Sequence, residues 1–403
     1  MKEKISITSI ASISPLGSSL DEIWEAYQNN QHYFSLENIN EAKTWVAPLA
    51  TSAQVMVASL RGSDSKYKKL DNSVLFAMVA SRMAFEQSGW SNTSDFGINM
   101  GSSRGATKLF EEYHSEFLNT GISSTLSSPT TTLGNISSWV SHDLGAKGPD
   151  ISHSITCSTG LHSVLNGVAW LNSGMSSRFL VGASEAPLTN FTIAQMKALK
   201  IYAKAPTLNS NSVVDKATVI ERSQNYPCQA LNFEKEYNSM ILGEAASVAC
   251  LETGIVDNAL AVIEGVGFAT EILKHNTSIS ANAVCFQKSM KKALDEINPA
   301  EVDAIVMHAP GTIKGDSSEY NAIKEVFGGD MPQLTTNKWK IGHTFATSGM
   351  LNLELAILML QNNEMVSIPY LNQKTHEKDL KKVLVNAVGF GGNAVSILVS
   401  KKE

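Results

Sequence analysis

The sequence has few cysteines, no proline-rich linker and no long apolar run, and each of these shortages excludes a class of protein. Its four cysteines, among 403 residues, form no CxxC pair. This argues against a disulfide framework and a cysteine-based zinc site, and it fits a reducing cytosol. The most apolar C-terminal stretch, residues 349–360, is interrupted by Asn352 and Glu354 and is too short to cross a bilayer. The N-terminus lacks the apolar segment of a signal peptide. We therefore expect a soluble, cytoplasmic protein without a membrane partner.

Positive charge is also scarce. The chain has 32 Lys and Arg residues against 38 Asp and Glu residues, which gives a net charge of −6. This balance argues against a general nucleic-acid-binding protein. Apolar residues make up 43% of the sequence and charged residues 17%, a composition typical of a chain with a large buried core. At about 150 residues per domain, the length suggests two or three units or one large duplicated fold.

Short apolar or β-branched runs alternate with helical patterns along the whole chain. The runs typical of strands lie at residues 5–10, 96–100, 151–156, 179–182, 246–252, 261–268, 302–307, 383–387 and 394–399. The helical patterns lie at residues 19–31, 70–88, 317–327 and 348–361. Such alternation favours a layered α/β fold. Since no flexible linker divides the chain, we expect two halves, 1–252 and 253–403, packed as one body.

Cys157 stands where a predicted strand ends and an amphipathic helix begins. Apolar residues recur after it at positions typical of one buried helix face. The dipole and free N–H groups at a helix N-terminus stabilise a thiolate, so the position predicts a nucleophilic cysteine with a lowered pKa. The plainer interpretation is a small buried apolar residue. That interpretation stands for the other three cysteines, since none of them lies where a predicted strand ends and a helix begins.

Two histidines and a glycine turn occupy positions where α/β proteins assemble their sites. His308 ends a predicted strand, and His343 lies in a loop that leads into a helix. A lone histidine is more often structural. The turn at residues 389–392 encloses Phe390, and its glycines allow backbone N–H groups to approach a ligand closely. A tight hairpin with a packed phenylalanine is the plainer interpretation of that turn.

Taken in order, Cys157, His308, Lys338, His343 and the Gly-Phe-Gly-Gly turn resemble a known family. They are similar to the β-ketoacyl-[acyl-carrier-protein] synthases of the elongating Cys-His-His type, through the segments ITCSTG, HAPGTIKGDSSE, NKWKIGH and NAVGFGGNAVSILV. The resemblance covers nearly the whole chain. It implies the thiolase-like fold, in which two similar halves stack in five layers, α-β-α-β-α. The nucleophile would lie in the first half and the histidines in the second.

The resemblance also implies roles for these residues. Cys157 would accept an acyl group from a carrier thioester. His308 and His343 would polarise the malonyl thioester carbonyl and promote decarboxylation, after which the carbanion attacks the Cys157 thioester. Lys338 would tune the electrostatics around the histidines, and Glu319 would fix the loop of the first histidine. No metal or cofactor is expected, because neutral imidazoles can donate to the developing enolate.

Further expectations concern the oxyanion hole and the substrate pocket. The backbone N–H groups of Cys157 and Phe390 would form the oxyanion hole, and Phe390 would also gate the acyl pocket. The family's Gly-Thr after the first histidine reads Ala-Pro here, while Thr312 keeps a later hydroxyl for the phosphopantetheine arm. Arg104 stands where a small or branched apolar residue is common in the acyl pocket, so a polar or aryl acyl end is expected. The alternative is that Arg104 pairs with a neighbouring glutamate.

The implied partner is an acyl carrier protein, which is acidic. Lys66, Lys68 and Lys69 cluster just before a predicted helix, where the family often carries its docking patch. A solvated charge run is the plainer interpretation of these lysines. Enzymes of this type dimerise through the edge strand near the nucleophile, so a homodimer or a heterodimer with a chain-length factor is expected.

Three other interpretations fit the residues less well. A non-catalytic chain-length-factor-like partner of a ketosynthase usually lacks the cysteine. A thiolase would need a second cysteine where Phe390 stands, and an initiating synthase usually has asparagine in place of His343. The sequence therefore predicts decarboxylative condensation of an acyl thioester with malonyl-acyl carrier protein, giving a 3-oxoacyl product. The departures from the family pattern favour a specialised polyketide or polyene route over routine fatty-acid elongation.

Overall fold

The computed structural model describes residues 3–91, 95–205, 225–272, 279–371 and 379–402. The strands among these residues are β1 (Ile5–Ile13), β2 (Ser35–Ile39), β3 (Ala42–Ala47), β4 (Gly97–Gly101), β5 (Asp150–His153), β6 (Arg178–Glu185), β7 (Leu242–Gly243), β8 (Ala245–Thr253), β9 (Ala261–Thr270), β10 (Ala304–Val306), β11 (Gln333–Thr335), β12 (Lys382–Gly389) and β13 (Asn393–Ser400). The α-helices are α1 (Leu20–Gln28), α2 (Thr51–Ser63), α3 (Asn72–Gln87), α4 (Thr107–Thr120), α5 (Ser127–Thr131), α6 (Asn135–Leu144), α7 (Thr159–Asn172), α8 (Asn190–Ala198), α9 (Val284–Leu294), α10 (Ile313–Phe327), α11 (Lys338–Ile341) and α12 (Ser348–Asn362).

Two five-stranded sheets form the centre of the protein. Their strand orders are β1-β8-β6-β4-β5 and β11-β10-β12-β13-β9. Helices α7 and α12 lie between the sheets, α3 and α6 cover the outer face of the first sheet, and α9 covers that of the second with α10 beside it. This is the five-layer α-β-α-β-α order expected from the sequence.

Helix α12 lies at the middle of the layers because it is apolar on nearly every side. Every residue from Ser348 to Leu360 is buried, as expected for a helix without a polar face. The core between the sheets also contains Leu161 and Val164 of α7, together with Val181 of the first sheet and Val385 of the second. One apolar core thus contains residues of both five-stranded sheets and of the two helices between them.

The predicted elements are present, with small shifts at their ends. The first predicted helix ends at Gln28 and begins after Ser19, whose side chain accepts the N–H of Glu22. Helix α10 begins four residues earlier than predicted, because Thr312 caps it by accepting the N–H of Gly315. The small third sheet, β2-β3-β7, was not predicted.

The sheet pairing explains why the site residues converge. Strand β10 is parallel to its neighbour β12, and β12 turns back through glycines into antiparallel β13. Strand β5 leads to Cys157 and lies at the edge of the first sheet. In the described ranges, no helix is both long enough and apolar enough to cross a membrane.

Candidate active site

The nucleophile corner is a tight turn between β5 and α7. Thr156 has a positive φ of 47°, which L-residues rarely adopt. The side chain of Thr159 closes the corner, because it accepts the N–H of Ile155 at 2.8 Å and donates to the carbonyl of Thr156 at 2.6 Å. Cys157 is therefore held at a fixed point, and only 5% of its surface is exposed.

The expected lowering of the Cys157 pKa is wrong. Burial, with a smaller contribution from the nearby Glu185, raises the pKa of the thiol to about 12. The backbone N–H of Cys157 and the Lys338 ammonium act in the opposite direction but are weaker. Helix α7 begins only at Thr159, so its dipole does not overcome the cost of desolvating a thiolate here. The resting residue is a thiol at neutral pH.

His308 lies in a turn just after β10, and hydrogen bonds to a buried carboxylate hold this turn in place. Glu319 accepts the backbone N–H of His308 at 3.0 Å and that of Ala309 at 2.9 Å, and it accepts the side-chain amide of Asn386 at 3.2 Å. Ala309 has a positive φ of 26°, so these bonds hold an unusual backbone conformation. In the described part of the chain, Nδ1 of His308 is buried without a hydrogen-bond partner. This favours the tautomer with its proton on Nε2, since buried unpaired N–H groups are rare.

His343 is held in one tautomer by its own loop. The backbone N–H of Phe345 donates to Nδ1 of His343 at 3.2 Å, so Nδ1 is an acceptor. The hydroxyl of Ser348 lies 2.7 Å from the same nitrogen and, with Nδ1 accepting, donates to it. The proton of a neutral His343 is therefore on Nε2, where it is available as a donor.

Both imidazoles are neutral at physiological pH. Burial, with a smaller contribution from the positive charge of Lys338, lowers the pKa of His343 to about 3. Burial, His343 and Lys338 together lower the pKa of His308 well below its usual value. The two rings lie 5.1 Å apart, centroid to centroid, at 85° to each other. The pair can donate hydrogen bonds to a developing oxyanion without carrying a charge.

Lys338 lies behind the histidines and is only 1% exposed. Its ammonium donates to the amide oxygen of Asn352 at 2.9 Å and to that of Asn337 at 3.0 Å. Burial lowers the pKa of Lys338 to about 7, and the Glu319 carboxylate counteracts part of that shift. Asn352 in turn donates to the carbonyl of Met307, one residue before His308. Lys338 is therefore linked to the histidine turn through neutral amides.

One cavity of about 230 Å³ brings most of these residues together. Its lining residues include Cys157, Met196, Leu199, Met240, His308, Pro310, Thr312, His343, Phe345, Gly389 and Phe390. The lining contains the expected nucleophile, both histidines, Thr312 and Phe390. Lys338, Glu319 and Arg104 do not line it. Lys338 contributes to the lowered pKa of both histidines, and Glu319 holds the backbone of the His308 turn.

The glycine turn reaches the nucleophile corner because Gly389 has no side chain. A Cβ atom there would collide with the side chain of Thr156 and with the carbonyl of Ile155. The hydroxyl of Thr156 also donates to the carbonyl of Phe390 at 3.3 Å. Phe390 itself is 40% exposed at the cavity. The turn thus packs directly against the segment that presents Cys157.

Arg104 lies behind the cavity wall. Its guanidinium donates to the side chains of Thr192 and Gln195 on α8. It therefore neither lines the cavity, as expected, nor pairs with a glutamate of α4, which was the alternative. The guanidinium carbon also lies 6.0 Å from the centroid of the Phe345 ring, which does line the cavity. Arg104 faces α8 because this helix packs beside its turn and presents two acceptor oxygens, those of the Thr192 and Gln195 side chains.

The three lysines of the expected docking patch are exposed and do not line the cavity. Lys66 lies 3.5 Å from the carboxylate of Asp64 and 5.1 Å from the ring of Tyr67. Lys68 lines a separate groove between α2 and α3, and Lys69 is exposed beside it. The structure thus presents these side chains on the surface, at the junction of two helices.

Sequence reasoning missed three residues that shape the site. Phe345 and Ser348 hold His343, and Glu185 accepts the N–H groups of Ser103 and Ala346 while its second oxygen has no partner among the described residues. A carboxylate at the end of the apolar run FLVGAS was a signal for Glu185. Nothing in the sequence distinguished Phe345. Within the described residues, no group of His, Cys, Asp and Glu is arranged to hold a metal ion.

Comparisons with known proteins identify the family of this chain. Residues 2–254 match the model of the beta-ketoacyl synthase N-terminal domain, and residues 260–372 match that of the C-terminal domain. The 3-oxoacyl-[acyl-carrier-protein] synthase 2 of Coxiella burnetii is 25% identical over 426 aligned positions, which cover 99% of each chain.

Solved structures of ketosynthases have the same fold. The ishigamide ketosynthase/chain length factor superposes with a TM-score of 0.82 at 17% identity and covers both chains completely. A type II polyketide synthase ketosynthase, solved with its acyl-carrier protein and bound to a hexaketide, gives the same TM-score at 18% identity, again over both whole chains. The chain therefore belongs to the beta-ketoacyl synthase family, and it is an acyltransferase of the ketosynthase type with a thiolase-like fold.

Proposed function

We propose that this protein condenses an acyl group, held as a thioester on Cys157, with the two-carbon unit of malonyl-acyl carrier protein. The product is a 3-oxoacyl-acyl carrier protein. The observation that carries this proposal is the cavity in which one cysteine and two neutral histidines converge. A nucleophile with adjacent donors is what acyl transfer requires, and the second half-reaction needs the donors alone.

In the first half-reaction, the sulfur of Cys157 attacks the thioester carbonyl of the incoming acyl carrier. The bond from the carbonyl carbon to Sγ forms, and the bond to the carrier sulfur breaks. The proton of the Cys157 thiol is transferred to the departing carrier thiolate. The backbone N–H groups of Cys157 and Phe390 would stabilise the tetrahedral oxyanion, and movement of Phe390 would admit the acyl group.

In the second half-reaction, the malonyl thioester binds with its carbonyl oxygen near Nε2 of His308 and His343. Cleavage of the bond to the carboxylate releases carbon dioxide and leaves its electron pair in an enolate. The two imidazole N–H groups stabilise the enolate oxygen. The enolate carbon then attacks the Cys157 thioester, the bond from the carbonyl carbon to Sγ breaks, and the departing thiolate takes up a proton from solvent.

Lys338 and Glu319 act through the histidines and do not contact substrate. Burial keeps both imidazoles neutral and the Lys338 charge adds to this effect, which preserves their N–H groups as donors. Glu319 fixes the His308 turn. Thr312 would contact the phosphopantetheine arm, and Arg104 would restrict the far end of the acyl pocket from behind Phe345. An acyl group from a specialised polyketide or polyene route fits these restrictions better than a long saturated chain.

The proposal includes an assembly. An acidic acyl carrier protein would dock at Lys66, Lys68 and Lys69. A second copy, or a chain-length factor, would pair with the edge strand β5. We assign the nucleophile half to residues 1–252 and the histidine half to residues 253–403, and we place the enzyme in the cytoplasm.

Intact-mass analysis beside carbon dioxide release tests the proposal. Incubation with acyl-pantetheine should add one acyl group to the parent, and malonyl-pantetheine with a labelled carboxylate should release labelled carbon dioxide. Cys157→Ala should lose acylation and condensation but still release carbon dioxide. His343→Ala should acylate but decarboxylate about 10²–10³ times more slowly. A parent that never acylates would support a chain-length-factor-like partner instead.

A further inference from the structure

Phe345 lies between the acyl cavity and the second histidine and contacts both. Its ring lines the cavity with Met196 and Leu199. The same ring lies 5.6 Å from that of His343, centroid to centroid. Its backbone N–H donates to Nδ1 of His343. The side chain of Phe345 therefore forms part of the cavity wall, and its backbone N–H forms a hydrogen bond that helps to fix the tautomer of His343.

The backbone of Phe345 is in a strained conformation. Its φ is +45°, a value that is unusual for a bulky L-residue. Such conformations persist only where the surroundings impose them, and they concentrate at functional sites. Here Glu185 imposes it from one side, because its carboxylate accepts the N–H of the next residue, Ala346, at 3.3 Å. The segment cannot relax without losing that bond.

Arg104 holds the ring from the side away from the cavity. Its guanidinium lies over the ring face and is fixed by Thr192 and Gln195. A cation over an aromatic face is attracted to it. Glu185 also accepts the N–H of Ser103, so the same carboxylate fastens the residue before Arg104 and the residue after Phe345. Ring and guanidinium are thus held as a pair.

The ring has little freedom to move independently of its backbone. It is 4% exposed and packs in one apolar cluster with Cys157, Met196 and Ile193. An acyl group that ends before the ring leaves this packing intact. A longer acyl group has to displace the ring, and because the ring is confined, the displacement is transmitted to the peptide. The N–H of Phe345 then moves away from Nδ1 of His343.

We propose, on the basis of the condensation function above, that Phe345 is a positioning residue that couples acyl-chain length to His343. Arg104 is the anchor of the ring. Short acyl groups on Cys157 leave His343 fixed with its proton on Nε2, and decarboxylation proceeds. Long acyl groups remove one of the two hydrogen bonds at Nδ1 of His343, leaving that of Ser348, and slow the second half-reaction. The enzyme thereby selects short acyl groups in two ways. The size of the cavity limits which groups bind, and the hydrogen bonding of His343 limits which bound groups are elongated.

The test measures decarboxylation by enzyme that already carries an acyl group. The parent is loaded from N-acetylcysteamine thioesters, from acetyl to dodecanoyl, and loading is verified by intact mass. Carbon dioxide release from labelled malonyl-pantetheine is then followed for each loaded form. The rate should fall about tenfold once the chain reaches the ring, the effect of losing one hydrogen bond. In Phe345→Ala the rate should be nearly independent of chain length, and Phe345→Leu should recover part of the dependence.

Three further variants separate coupling from a change in volume. Leu199→Ala enlarges the outer wall without touching His343 and should keep the parent's dependence on chain length. Arg104→Met should weaken the dependence, and Arg104→Lys should restore part of it. Equal rates for every loaded parent form would overturn the proposal, and so would an undiminished dependence in Phe345→Ala. If Phe345→Ala does not fold, the rates of the parent enzyme loaded with acyl groups of increasing length decide whether the proposal holds. Failure of Cys157 to load at all would instead reject the condensation function.

Discussion

Replacing Glu354 by glutamine should stabilise the protein by an amount that grows with pH. Glu354 lies on α12 between the two sheets and is fully buried. One carboxylate oxygen accepts the hydroxyl of Ser12 at 2.9 Å, and the other has no partner among the described residues. Burial raises the pKa of this carboxyl from 4.5 to about 7. The folded state therefore disfavours the ionised form more than the unfolded state does.

The size of the effect follows from linkage. Below about pH 4.5 the carboxyl is protonated in both states, and its titration contributes nothing to stability. Between pH 4.5 and 7 the folded state holds more protons, so the stability of the parent falls as the pH rises. The shift of 2.5 pH units corresponds to about 3 kcal/mol, fully expressed above pH 7. Glutamine, which resembles the protonated acid and does not titrate, avoids this loss.

The assay is chemical denaturation of parent and variant at several pH values from 4 to 8. The difference between their unfolding free energies should rise through this range and level off near pH 7. Titrations of distant groups cancel in the difference. Ser12→Ala is the matched control, because removing the one donor to Glu354 should extend the loss of stability to higher pH in the parent but not in Glu354→Gln. A difference that stays constant across the range would refute the reasoning.

Three further predictions concern the site and its surface. Ser348→Ala should slow carbon dioxide release about tenfold while Cys157 still acylates, because the 2.7 Å contact that fixes His343 is lost; single-turnover assays of each half-reaction check this. Gly389→Ala should lower the thermal midpoint and impair acylation, since its Cβ would displace the nucleophile corner, and calorimetry beside intact mass measures both. Reversing Lys68 and Lys69 to glutamate should raise the Michaelis constant for acyl carrier more than it lowers turnover, with less effect at high salt; an unchanged constant removes this patch from the docking site.

The order of motifs was readable from the sequence because each one is local. The corner at Cys157 needs only a strand, a polar turn and a helix in succession, and α7 follows as predicted. The layered fold follows from similar local patterns, since apolar strands alternate with helices throughout. Residues at strand ends converge in such folds whatever their distance along the chain. His308 and His343 therefore meet Cys157 at one cavity.

Only the tertiary structure determined the interactions between segments that are distant in sequence. The pKa of Cys157 is raised because loops distant in sequence bury it, whereas the helix dipole expected from the local pattern would lower that pKa. Arg104 faces α8 because Thr192 and Gln195 come beside it from almost ninety residues later in the chain. Phe345 carries no motif, yet its strained backbone fixes the histidine. Local patterns determine where chemical groups lie along the chain, whereas desolvation and long-range contacts, which set their protonation and partners, exist only after folding.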